Sequence, residues 1–128
     1  MELSQRDLTR LEGVHVDLVR VVRRAAELMP PDLDFIITEG LRTKEKQIQL
    51  VKVGASQTVH SRHLTGHAVD LAARVNGEVR WDWPLYDRIA AAMKTAAQEL
   101  AIPLTWGGDW RSLRDGPHFE LPRGGDYA

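Results

Sequence analysis

The apolar positions of this chain change period several times, and each change marks an element. From Val14 onward, Leu18, Val21, Val22, Ala25 and Leu28 recur at helical spacing until Pro30-Pro31 interrupts them, which predicts an amphipathic helix over residues 14–29. Ser4, ahead of it, suits the cap of a first short helix. Asp34-Phe-Ile-Ile-Thr38 is short, β-branched and aromatic, bounded by prolines and Gly40, as a buried strand would be. After Gly40-Leu-Arg42 a second helix is expected at about residues 43–53, ended by Gly54. The connector Ser56-Gln-Thr-Val-His-Ser-Arg-His63 is too polar to be core, and loops on a rigid scaffold are where binding groups tend to sit. His67-Ala-Val-Asp-Leu-Ala-Ala73 reads as a strand, and Asn76-Gly77 as the turn of a hairpin into Glu78-Val-Arg-Trp81. Pro84 opens a further helix whose core stripe is Leu85, Ile89, Met93, Ala96 and Leu100, closed by Pro103. Two short extended pieces, 104–106 and 118–121, flank a loop rich in Gly and Asp. The expected architecture is α+β, a small mostly antiparallel sheet with packed helices, forming a single domain over residues 1–128.

Composition narrows the function. A balance of 17 basic against 18 acidic residues offers no broad positive surface, which argues against nucleic-acid binding. The cluster Arg20, Arg23 and Arg24 falls away from the apolar stripe and reads as a solvated face. No stretch approaches the roughly 20 apolar residues of a membrane span, and the charged N-terminus has no secretory h-region. Synthesis in the cytoplasm without a signal peptide, and no membrane insertion, are therefore expected. With no cysteine, histidine and carboxylate remain as the strong metal ligands.

A two-histidine, one-carboxylate site needs three side chains at one point with a coordination position left open. His63, Asp70 and His118 can supply it. Strand alternation puts Ala68, Asp70 and Ala72 on one face and His67, Val69 and Leu71 on the other, so two small residues flank Asp70 while His67 points away. His118 and Glu120 share a face, with Phe119 and Leu121 directed to the core. Asp115, three residues before His118 with Gly116-Pro117 between, can reach a water on the metal and act as general base. Glu120 competes for that role but better suits a partner that fixes a ligand histidine's tautomer. His60 is a loop residue near the cleft, and His15 serves the entry to the long helix. Trp106 and Trp110 are candidates to line a substrate groove; Trp81 and Trp83 suit hairpin and helix-cap packing. Each histidine and aspartate taken singly also fits an ordinary hydrogen-bonding role, so spacing alone leaves the metal site open.

The combined pattern carries more. Ser61-Arg-His-Leu-Thr-Gly-His-Ala-Val-Asp70 resembles the Ser-x-His-x-x-Gly-x-Ala-x-Asp signature of the D-Ala-D-Ala metallopeptidase group, which includes VanX- and VanY-like enzymes. Trp106-Gly-Gly-Asp-Trp110 and Asp115-Gly-Pro-His-Phe-Glu120 resemble the second signature as it occurs in phage endolysins that cleave the L-alanyl-D-glutamate bond. The likeness runs over nearly the whole chain. It implies a Hedgehog/DD-peptidase-like fold, zinc (Zn2+) bound by His63, Asp70 and His118, Asp115 as catalytic base, and Arg42 and Ser61 as substrate-binding residues. Arg42 would stabilise the oxyanion or clamp a substrate carboxylate, and Ser61 would hydrogen-bond substrate or orient the site.

The implied activity is hydrolysis of peptidoglycan stem peptides at L-Ala-D-Glu, by a monomer without a separate wall-binding domain, released to the cell wall with the help of a membrane-permeabilising holin. D-alanyl-D-alanine carboxypeptidase activity and a non-catalytic zinc-containing binding module, as in Hedgehog domains, stand as alternatives. A non-haem iron oxygenase would share the ligand types. It would place a His-x-Asp pair on a larger β-barrel, which the strands predicted here do not make.

Overall fold

The helices begin where the sequence supplies a cap. In the computed structural model, which describes residues 1–54 and 61–127, Ser4 and Asp7 form a reciprocal capping box that starts α1 (Gln5–Arg10). The second Asp7 oxygen accepts from the Ile37 N–H at 2.9 Å, so the same residue ties α1 to a strand. His15 caps α2 (Val16–Leu28), its Nδ1 accepting from the Asp17 N–H at 3.0 Å, as expected of the entry residue. Thr43 caps α3 (Lys44–Lys52). α4 (Trp83–Leu100) has Pro84 in its first turn and ends at Ala101, which adopts a left-handed φ of 56°.

Among the described residues, five strands make one antiparallel sheet: β1 (Asp34–Glu39), β2 (Ala68–Val75), β3 (Glu78–Arg80), β4 (Thr105–Trp106) and β5 (His118–Glu120). β2 is its axis. β1 lies along one edge of β2; the opposite edge is shared, β5 pairing with Ala68–Asp70 and β3 with Ala73–Val75. β4 extends the sheet beyond β5. Asn76 and Gly77, with φ of 52° and 80°, form the two-residue turn predicted between β2 and β3. A register irregularity between Ile37 and Glu39 leaves Glu39 opposite Asp70.

One face of β2, with Val69, Leu71 and Ala73, packs into the core beneath α2 and α4. Phe119 of β5 is fully buried in that core and stacks on Trp106, ring centroids 6.3 Å apart. Burying such a ring stabilises the fold by roughly 1.5–3 kcal/mol, and because β5 alternates, it also directs His118 and Glu120 to the other face.

The polar connector departs from expectation. Residues 56–60, with His60, lie outside the described residues, but Arg62 and His63 are buried. The physical reason is that main-chain carbonyls receive their polar groups: the Arg62 guanidinium donates to Leu121 O at 2.9 and 3.2 Å, and His63 to Gly40 O.

Candidate metal centre

Three elements deliver the three candidate ligands. His63 sits in a single 3-10 turn, Arg62–Thr65, whose first N–H groups are capped by Ser61: its Oγ accepts from the His63 N–H at 3.2 Å. The turn ends at Gly66, with φ of 76°, where a Cβ would lie 2.3 Å from the Gly13 carbonyl oxygen; glycine is required there on both counts. Asp70 stands in the middle of β2, and His118 opens β5 directly across from it in the antiparallel register. Side chains at paired positions share a face, so Asp70 and His118 meet by register alone.

Hydrogen bonds settle which ring nitrogens turn inward. The His63 Nδ1–H donates to Gly40 O at 2.8 Å, which leaves Nε2 directed at Asp70 Oδ1, 3.3 Å away. The His118 Nε2–H donates to the Glu120 carboxylate at 2.8 Å, which leaves Nδ1 directed at the same Asp70 oxygen, 3.2 Å away. With both rings neutral, two lone pairs face a carboxylate, and positive charge shared at that point, from a metal ion or a proton, would relieve the repulsion. Ligand atoms around a tetrahedral ion at about 2.0–2.1 Å lie roughly 3.3–3.4 Å apart, close to the two separations found. The three ligand atoms all lie within 4.8 Å of one another, and the group could hold a metal ion.

Electrostatics agree with that geometry. Burial would raise the Asp70 carboxyl, but hydrogen bonds from His118 and His63 outweigh it and hold the group well below the usual carboxylate range. Burial would lower His118, yet its bonds to Asp70 and Glu120 push it up to about 9, so in the absence of metal a proton takes the cation's place.

Asp115 lies half-buried just before β5, and its carboxyl is raised by burial and then by the negative charge of Asp70, while His118, His63 and Arg42 pull it down. Its loop packs hard against Gly107, whose missing Cβ would sit 2.4 Å from Asp115 O and 3.1 Å from the His118 Cβ. Arg42 is half-buried beside the site. Its Nε donates to Glu39 Oε1 and its Nη1 to Gln47 Oε1, each at 2.6 Å, its Nη2 also pairs with Glu39, and its main-chain N–H donates to His63 O at 2.9 Å. Trp110 tilts over His118, ring centroids 5.1 Å apart. Trp106 does not join it: it is buried, stacked on Phe119, and its Nε1–H donates to Gly116 O at 2.7 Å, because β4 turns its ring to the core face.

Several contributors carried no sequence signal. Gly40 orients His63 through a carbonyl, a group every residue has. Glu39 and Gln47, which hold the Arg42 guanidinium, look like ordinary surface residues in sequence; the only hint was the position of Glu39 three residues before Arg42.

Fold and site together define the class: an antiparallel α+β domain carrying a two-histidine, one-carboxylate centre with a carboxyl base candidate beside it. The chain belongs to the phage L-alanyl-D-glutamate peptidase family, whose model matches residues 1–122. It is 37% identical over 119 residues to the L-alanyl-D-glutamate peptidase of Escherichia phage T5, covering 90% of this chain and 85% of that one. The crystal structure of Serratia marcescens L-Ala D-Glu endopeptidase ChiX superposes with a TM-score of 0.88 at 46% identity, over 95% of this chain and 90% of that one. The vancomycin-resistance D,D-dipeptidase VanXYg shares the fold, with a TM-score of 0.55 at 22% identity over 84% of this chain and 50% of that one. The α+β fold of the D-Ala-D-Ala peptidase kind expected from the signatures is thereby borne out.

Proposed function

We propose that the chain is a zinc-dependent endopeptidase that hydrolyses the L-alanyl-D-glutamate bond of peptidoglycan stem peptides, acting on the cell wall. The observation that carries this reading is the convergence of His63 Nε2 and His118 Nδ1 on Asp70, with each ring's other nitrogen already committed. Two nitrogens and one carboxylate oxygen suit zinc in its catalytic form, which keeps a fourth position open. Zinc so held supplies Lewis acidity, lowering the pKa of water and polarising the scissile carbonyl.

The chain's own residues do the remainder. Asp115, kept basic by burial and by Asp70, accepts the proton of the attacking water and passes it to the departing D-glutamate amine as the C–N bond breaks. Glu120 fixes the His118 tautomer, and Gly40 that of His63. Ser61 orients the His63 turn through its cap. The Arg42 guanidinium, held by Glu39 and Gln47, lies near enough to lower the Asp115 carboxyl, and its charge would stabilise negative charge that develops on the substrate.

The test is mass spectrometry of purified peptidoglycan digested by the zinc-loaded protein, beside an Asp115→Ala control. New N-terminal D-glutamate on stem peptides, lost by about 10²–10⁴-fold in the control while zinc stays bound, is the expected result. Released D-alanine would replace the endopeptidase by a carboxypeptidase. No product with zinc bound would mean a binding module.

A further inference from the structure

The surface beyond Asp115 carries exposed aromatic groups that the chemistry above leaves unused. Trp81 is 62% exposed, yet its ring lies parallel to that of buried Tyr86, at 3° with centroids 6.1 Å apart. Tyr86 is a rigid support: its hydroxyl accepts from the Ala73 N–H at 3.0 Å and donates to Arg80 O at 2.8 Å. Trp83, 42% exposed, meets buried Trp106 edge-on and has the Arg114 guanidinium 4.5 Å above its ring. Arg114 is itself positioned, its Nε donating to Gly108 O at 2.9 Å; its Nη groups make no hydrogen bond among the described residues. This surface abuts the site, because a Cβ on Gly116, the residue after Asp115, would lie 3.3 Å from both the Trp83 ring and the Tyr86 side chain. A preorganised aromatic face with free donors at its edge, left open to water, is the chemistry that takes a sugar: C–H groups on the ring and hydroxyl or N-acetyl oxygens on the guanidinium.

We infer that Trp81, Trp83 and Arg114 form a subsite for the amino-sugar chain of peptidoglycan, and this rests on the L-alanyl-D-glutamate reading of the metal centre. In that polymer L-alanine is joined through its amine to the lactyl group of the sugar. The acyl side of the scissile bond therefore leads to saccharide almost at once: at about 3.5 Å per residue, alanine and the lactyl link hold the first sugar on the order of 10 Å from the bond. A peptidase that cuts there on intact wall has sugar against its surface, and the aromatic face next to the Asp115 turn is built to receive it.

The zinc-loaded protein and its Trp81→Ala variant are assayed on two substrates, a disaccharide-linked stem tetrapeptide and the same tetrapeptide without sugar. The wild type should prefer the sugar-bearing substrate, and the variant should lose roughly 3- to 10-fold in kcat/KM on it alone, with Trp81→Phe recovering part of the loss. An equal loss on both substrates, or no loss on either, overturns the subsite. If the wild type cuts neither, the peptidase reading fails separately, and the subsite is then decided by tryptophan fluorescence with peptide-free N-acetylglucosamine oligomers. Quenching in the wild type that Trp81→Ala abolishes supports it; quenching equal in both, or absent from both, overturns it.

Discussion

Among the described residues, two pairs of histidines have an aspartate close by, and one pair converges on it as a metal site requires. At the candidate metal site, the His63 and His118 rings lie 5.2 Å apart and both turn a nitrogen to Asp70. Near the end of β5, His15 and His67 lie 5.5 Å apart, with Asp17 beside them and Tyr127 edge-on to His15. There the groups are committed elsewhere. His15 Nδ1 accepts from the Asp17 N–H, His67 Nδ1 bonds Thr65 Oγ1 at 2.6 Å, and Asp17 accepts from the Tyr127 hydroxyl at 2.7 Å. Residue types and ring spacing are nearly equal in the two places. What separates them is which nitrogen the surrounding backbone and carboxylates have already engaged, and whether the free ones converge on an oxygen.

The severest way to break the comparison is Asp70→Ala. Removing the shared oxygen leaves two imidazoles without a carboxylate, so zinc content by atomic absorption should fall from one per chain to near zero, with turnover lost. Retention of stoichiometric zinc would mean that the centre is elsewhere. Glu120→Ala, which frees the His118 tautomer while keeping all three ligands, should weaken zinc binding by about 10–100-fold, read by competition with a chromophoric chelator.

Smaller effects should appear in pH dependence. His118 is raised from 6.5 to about 9 when metal is absent, so its contribution to stability is complete below pH 6.5 and is lost as pH rises through about 9. Metal binding must displace that proton, so its stabilisation grows over the same interval. Thermal unfolding of chelated protein should therefore show a falling Tm between pH 6.5 and 9, while the increment from added zinc rises. A zinc increment independent of pH would contradict the proton held on His118. The smallest effect is expected from His67→Ala, on the second pair: zinc stoichiometry and kcat/KM should stay within about twofold, as for surface sites outside special features. A large loss of zinc there would erase the distinction between the pairs.

Most of the fold was legible because its elements are locally marked. Pro30-Pro31, Asn76-Gly77 and Pro84 bracket elements whose observed bounds differ from expectation by a few residues; Ser4 caps as anticipated, and His15, expected to serve the helix entry, does so as its cap. Trp106 misled because a two-residue strand has too little alternation to reveal its inward face; Trp110, in the adjoining loop, does reach the site. Arg62 and His63 looked too polar to bury, since the carbonyls that satisfy them come from Leu121 and Gly40, distant in sequence.

The chain's own order of residues thus determines the candidate ligand types, their spacing, and the alternation that points Asp70 and His118 away from the core, because these follow from strand period and local turns. Tertiary structure alone decided that β5 pairs with β2 in the register that sets His118 against Asp70, that Gly40 and Glu120 turn the ring nitrogens inward, and that Glu39 and Gln47 hold Arg42. Those are contacts between groups far apart in the chain or between main-chain atoms common to every residue, and no local pattern encodes either.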